Sequence, residues 1–431
     1  MPRFFRGTLL NPSTPERALL LEDGGLLVDD DGTILAAGAR EEIALPEGCE
    51  TVDFSNYLVM PGFVDTHCHV AQARAVNVRH ASLLEWLSKV VFPMESAYSA
   101  DVAIREAPDF FHRLLATGTT TVGLYVTVNE DATDAVFAVA ESVGIRGVIG
   151  KVMMDQHSPP ALQENTAASL AASQRLCEMW HGQAKGRLRY AFTPRFALTC
   201  SAELLREAGA MAAEYKCHVA THVAENKAEV ARAAELFPEA RSYLDIYDRA
   251  GLLGPRTILG HGIYLDEKDW DVMAATGTGL AHCPVSNILL ESGILDLAAP
   301  MSRGVAVGLG SDIGAGSDPA LTEVAESAIS GQIARKVLGH SHRVVTPELA
   351  FYLLTRGGAE AMGLADEIGD FRPGKQADFV VFDPRECLPM AEWTPEMDAA
   401  SLLYAILLRF RATAVRATFV QGRRVYPSLE A

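Results

Sequence analysis

The middle of this chain repeats one event eight times: a short apolar run ends in polar residues, and a helical stretch rich in Ala, Leu and Glu follows. The runs read as strands over residues 57–67, 119–126, 147–154, 189–196, 218–222, 257–262, 277–282 and 305–311. Strands alternating with helices need crossover connections, which make neighbouring strands parallel. Eight such units in about 250 residues have the size of a closed barrel. An open doubly wound sheet is the competing arrangement, but no G-x-G-x-x-G follows an early strand. The fold class expected is α/β, a (β/α)8 TIM barrel over residues 59–371.

The flanks differ. Residues 1–58 carry strand-like runs at 25–28 and 34–37, broken by turn signals at Asp23-Gly24 and Asp31-Gly32. From about 372 the same style returns, at 377–382, 414–421 and 424–426. Two short β segments are marginal alone. Pairing 1–58 with 372–431 in one small β-sandwich domain beside the barrel solves that problem. The stretch from Gly369 to Gln376 approaches the phosphate-binding G-x-x-x-x-G-K-[ST] pattern, but it lacks the Ser/Thr and precedes a strand. It reads as a turn.

With 431 residues, 49% of them apolar, the chain can bury one large core and a smaller one. Its formal net charge of -18 and lack of any Lys/Arg-rich block argue against nucleic acid or an anionic membrane as partner. No apolar stretch approaches transmembrane length, and the N-terminus lacks signal-peptide features. Seven scattered cysteines without a C-x-x-C pair suggest neither a disulfide framework nor a cysteine-rich zinc site. The expectation is a soluble, cytoplasmic protein.

In a barrel of this kind, reactive groups gather where strands end. The first strand ends Asp65-Thr66-His67-Cys68-His69. Side chains alternate along a strand, so His67 and His69 face one way and can bite one ion together. Asp65 shares that face one step deeper, where a carboxylate can orient an imidazole. The fifth strand ends at His222, with Glu225 in the turn beyond; His218 lies deeper and reads as packing. The sixth ends at His261, the seventh at His282 with Asn287 following, and the eighth at Asp312. Any one of these could be an ordinary buried histidine or carboxylate. That plain reading does not explain why four strands all end in metal- or proton-handling residues.

Three imidazoles and a carboxylate suit Zn²⁺ or Fe²⁺ better than Mg²⁺. The expected ligands are His67, His69, His222 and Asp312, holding one ion whose bound water would ionise near neutral pH. Glu225 is placed to shuttle its proton, and His261 to steady the attacking oxygen. The fourth strand ends in Arg195, where a two-metal site would need a lysine; Lys151 on the third strand is the weaker substitute. One ion is expected. The zinc-binding signature H-x-E with P-C-x-x-C is absent.

These motifs resemble the amidohydrolase superfamily: P-G-x-V-D-T-H-x-H on the first strand, H-x-x-E on the fifth, histidine on the sixth and aspartate on the eighth. Within it the chain is similar to the guanine deaminase family. That likeness runs through Thr66–Gln72, Leu83-Leu-Glu-Trp-Leu87, Phe92-Pro93, Gly118-Thr-Thr-Thr121 and Gly150-Lys-Val-Met-Met-Asp155. It continues through Thr193-Pro-Arg-Phe196, His222–Asn226, His282-Cys-Pro-Val-Ser-Asn287 and Gly308–Gly314. The resemblance implies hydrolysis of guanine to xanthine and ammonia, with water adding at C2 of the purine and Glu225 carrying a proton to the neighbouring ring nitrogen. His261 and Asp312 would help collapse the tetrahedral adduct. Gln72 and Arg195 would grip the base edge, Phe196 would pack on its ring, and Trp86 with Phe92 could close over it, unless that stretch is an ordinary amphipathic helix. A homodimer is also implied. The chain departs from the family at Val70-Ala71, where Ala-Ser is expected, which bears on pocket hydration. The competing activities are related aminohydrolases acting on a pterin, an 8-oxopurine, a triazine or a nucleoside. A metal-free structural relative would have lost ligands, and none is lost here.

Overall fold

The computed structural model describes residues 1–76, 78, 82–340, 344–388 and 397–427. The chain opens with β1 (Arg3–Thr14), β2 (Arg17–Val28), β3 (Ile34–Ala39) and β4 (Glu50–Pro61). There follow β5 (Phe63–His69), β6 (Thr119–Tyr125), β7 (Arg146–Gly150), β8 (Val152–Met153) and β9 (Leu188–Pro194). Next come β10 (His218–Val223), β11 (Thr257–His261), β12 (Gly279–His282) and β13 (Val307–Leu309). The last are β14 (Phe379–Phe382), β15 (Val415–Val420) and β16 (Arg423–Tyr426).

One sheet joins both ends of the chain in the order β16-β15-β14-β4-β1-β2-β3. Its junction is the antiparallel pairing of β4 with β14. Phe379 and Phe419 stack there at 4.3 Å, with Phe5 edge-on to both, so neither terminal segment has a complete apolar core without the other.

The second sheet runs β5-β6-β7-β9-β10-β11-β12-β13, all parallel, with β8 beside β9. Hydrogen bonds close it from last strand to first. Asp312 N donates to His67 O at 2.8 Å, His69 N to Ile313 O at 3.0 Å, and Thr66 Oγ1 to Leu309 O at 2.9 Å. Helices start promptly after strands because Asn129, Asn165, Ser201, Asn226 and Asp266 each cap one, accepting a backbone N–H. This is the barrel expected from the alternation. Among the described residues no helix is long and apolar enough to cross a membrane.

Several strand boundaries differ from expectation, three of them for a visible reason. The apolar run at 57–67 is two strands in two sheets, broken at Gly62. A Cβ there would lie 2.1 Å from Thr120 Oγ1, so only glycine permits the close approach. The run at 147–154 is interrupted at Lys151, whose buried ammonium turns aside to Glu164 at 2.6 Å. The seventh strand starts at Gly279, because Gly277 caps the preceding helix.

Candidate active site

The alternation of β5 puts His67 and His69 on one face and buries Cys68 on the other. The His69 and His67 Nε2 atoms are 3.2 Å apart, and His222 Nε2, from the end of β10, is 3.2 Å from His69 Nε2. Asp312 Oδ1, following β13, lies 3.5 Å from His67 Nε2 and 3.4 Å from His69 Nε2. Tetrahedral zinc–nitrogen bonds of about 2.0–2.1 Å require nitrogens roughly 3.3–3.4 Å apart, so the set fits such an ion. The electrostatics fit as well. Burial holds His67 below its ordinary value and pushes His69 down to about 3; burial and the neighbouring imidazoles hold His222 well below. Asp312 is held well below its ordinary value although burial opposes this, because hydrogen bonding by His67 and His69 and the proximity of His67 and His261 outweigh it. Neutral imidazoles and an ionised carboxylate are the donor forms a metal takes.

Backbone geometry aims these groups. His261 and Asp312 have φ of 72° and 49°, and Ala224, just before Glu225, has 47°. Such left-handed turns cost roughly 1–3 kcal/mol each in non-glycine residues and collect at functional sites. His222 Nδ1 meets Arg195 O at 2.7 Å, leaving Nε2 to face the cluster. His261 Nδ1 meets Asn287 Oδ1 at 2.9 Å, turning its Nε2 toward Glu225 Oε2 at 3.6 Å and Asp312 Oδ2 at 4.0 Å. Glu225 is buried and accepts from Ser292 Oγ at 3.2 Å. Burial and the charge of Asp312 push it up to about 8, the range in which a carboxyl both takes and gives a proton near neutrality.

Gly260 makes room for the cluster. It pairs with His222 across the β10–β11 ladder, and a Cβ on it would sit 2.8 Å from His67 Cε1. Gly260→Ala should therefore displace the His67 ring and weaken metal retention by at least about tenfold, by analogy with other losses of ligand support. Chelator competition measures this; unchanged affinity would show that His67 needs no such space.

A pocket opens above the cluster, lined by His69, His222, Glu225, His261 and Asp312 together with Gln72, Trp86, Arg195 and Phe196. The expected catalytic and substrate-binding residues all line this pocket, with His67 against them through His69. Leu83 and Leu87 join Trp86 in the lining, so the amphipathic stretch is pocket wall and core packing at once. Phe92 lies behind it, with the Arg195 guanidinium 5.4 Å from its ring centre.

Several expectations need correction. Asp65 orients no imidazole: its carboxylate accepts from Ser311 N at 3.0 Å, Ser311 Oγ at 2.5 Å and His67 N at 3.2 Å, so it ties strand ends together. His282 is buried, but Asn287 bonds His261 instead. His218 meets Met362 O at 3.0 Å, a packing role as expected. Asp155, in the segment after the third strand, holds Ser201 and Thr166, outside the pocket. Three residues were missed. Glu95 bonds both Gln72 and Arg195. Tyr125 stacks on His69 at 4.6 Å. Glu229 accepts from Glu225 N at 2.8 Å. Only Glu229 had a visible signal, in the Asn226–Glu229 capping box.

A model of the amidohydrolase family matches residues 58–425. The guanine deaminase of Escherichia coli K12 is 37% identical over 424 residues, covering 97% of this chain and 95% of that one. The solved structure of E. coli guanine deaminase superposes with a TM-score of 0.90 at 35% identity, over 98% of this chain and 99% of that one. A guanine deaminase from C. acetobutylicum with guanine bound in its active site superposes with a TM-score of 0.92 at 27% identity, over 99% of this chain and all of that one. The chain belongs to the amidohydrolase family, in the branch that holds the guanine deaminases.

Proposed function

We propose that this chain hydrolyses guanine to xanthine and ammonia, with His67, His69, His222 and Asp312 holding one divalent ion, zinc or, as the alternative, iron(II). The observation that carries the reading is the convergence of four donor groups at a pocket that Gln72 and Arg195 also line. The likeness to a relative that binds guanine in its active site supports the substrate.

The ion's contribution, when bound, is to bring the pKa of a water from about 15.7 toward 7. The protein's own groups do the rest. Arg195 and Gln72 hold the polar edge of the base, Phe196 packs against its ring and Trp86 narrows the mouth. The water's oxygen bonds to C2, and Glu225 carries the released proton to N3, the ring nitrogen beside that carbon. His261 and Asp312, 4.0 Å apart, favour collapse of the adduct. The adduct's hydroxyl proton passes to the exocyclic nitrogen, C2=O forms as the bond from C2 to that nitrogen breaks, and ammonia leaves. Gathering these groups in a site that excludes bulk water makes each interaction stronger than it would be in solution. Family likeness also supports a homodimer working in the cytoplasm; light scattering measures the first.

The test is Arg195→Lys assayed on guanine. Lysine keeps the charge and loses the planar fork, so KM should rise roughly 10–100-fold, the cost of about 1.4–2.8 kcal/mol of edge recognition. Unchanged kinetics would remove Arg195 from the substrate's edge.

A further inference from the structure

Glu95 lies behind the pocket wall, in the short helix Phe92–Ser96, with its side chain wholly buried. Its carboxylate accepts from Gln72 Nε2 at 2.8 Å and from Arg195 Nη1 at 2.7 and 2.6 Å. Its backbone carbonyl accepts from Thr127 Oγ1 at 3.0 Å, which fixes the helix against the barrel. Gln72 and Arg195 line the pocket, whereas Glu95 does not. It touches the two residues at the substrate's edge without touching the substrate.

A carboxylate paired with a guanidinium offers only acceptors. Gln72 must therefore turn its NH2 toward Glu95, which leaves its carbonyl oxygen as the acceptor available elsewhere. Arg195 reaches Glu95 through Nη1 alone, so Nε and Nη2 remain as donors. We infer that Glu95 is a positioning residue that sets the hydrogen-bond polarity of the pocket: it fixes Gln72 as an acceptor beside Arg195 as a donor, so that the wall selects a C=O next to an N–H over the reverse pattern. This rests on the guanine reading and deepens it. Guanine offers a carbonyl at C6 beside N1–H. The purine 2,6-diaminopurine carries the same 2-amino group but offers an NH2 at C6 beside a bare N1. Against this wall its donor meets a donor and its acceptor an acceptor. A site built to hydrogen-bond one pattern rejects the unmatched analogue strongly, because its own polar groups are left unpaired.

Glu95→Gln keeps the shape and introduces a donor. The new NH2 needs an acceptor, and Gln72 can supply one by turning its amide over, which presents NH2 to the ligand in place of oxygen. The experiment measures kcat and KM on guanine and on 2,6-diaminopurine for metal-loaded wild type, Glu95→Gln and Glu95→Asp, with metal content and thermal midpoint measured alongside. The wild type should prefer guanine by about 10³-fold or more in kcat/KM. Glu95→Gln should lose about tenfold or more of that preference, chiefly through a higher KM for guanine, and Glu95→Asp, still acceptor-only, should keep it even where both rates fall. A parallel loss on both purines with the preference intact in Glu95→Gln would overturn the inference and leave Glu95 a packing residue. Should Glu95→Gln not fold, Gln72→Met reads the same acceptor, and an unchanged preference there overturns it equally. A wild type that deaminates neither purine sinks the substrate reading itself, before any variant is compared. A wild type that takes both equally sinks only the selectivity.

Discussion

His69→Ala should give a folded barrel that no longer keeps its metal. His69 Nε2 lies 3.2 Å from the Nε2 atoms of both His67 and His222 and 3.4 Å from Asp312, which makes it the point where the other three donors meet. Losing it removes the donor that lies nearest to all three others. Metal affinity should fall by more than the roughly 10–100-fold that losing a supporting partner costs. Guanine turnover should fall by at least about 10³-fold, because the ionised water goes with the ion. The barrel survives because its first and last strands are joined by backbone bonds, including His69 N to Ile313 O, that the substitution does not touch. Metal analysis after dialysis, circular dichroism and an ammonia assay read all three. A variant with full metal content and near-normal turnover would show that the ion, if present, sits elsewhere.

Glu225→Gln separates proton transfer from metal binding. Glutamine has the same shape and can still accept from Ser292, so the pocket should hold its form. It cannot take up and release a proton. Turnover should drop by about 10²–10⁴-fold, the usual worth of a positioned acid–base group, while metal content stays at the wild-type level. A near wild-type rate would end the proton-shuttle assignment. Loss of metal along with activity would instead place Glu225 in the coordination set.

The sequence is most readable where a local period determines direction. Alternation along β5 sets His67 and His69 on one face whatever the rest of the chain does, and strand ends are marked by the caps that follow them. The barrel follows from strands that alternate with helices. What could not be read depends on chain returning from far away. The apolar run through Pro61-Gly62 carries a local break signal, but nothing in it tells that its two halves join different sheets. Asp65 looks like a partner for imidazole until Ser311 arrives from the eighth strand. Glu95 sits in a short helix among Met94 and Ser96 with nothing to distinguish it from a solvated charge. Only the fold brings Gln72 and Arg195 to its carboxylate. The bond from Asn287 to His261 is hidden for the same reason: His261 comes from the strand before, and its left-handed backbone turns the ring toward the loop.

The most direct measurement is ammonia release by purified, metal-analysed protein offered guanine, 8-oxoguanine, adenine, cytosine, pterin and melamine in parallel. Rapid release from guanine alone, with about one metal per chain, is the result the account predicts. Release from another member of the panel and not from guanine would keep the barrel and the ligand set, but contradict the roles given to Gln72 and Arg195. Silence from fully metal-loaded protein across the panel would contradict the proposed activity itself.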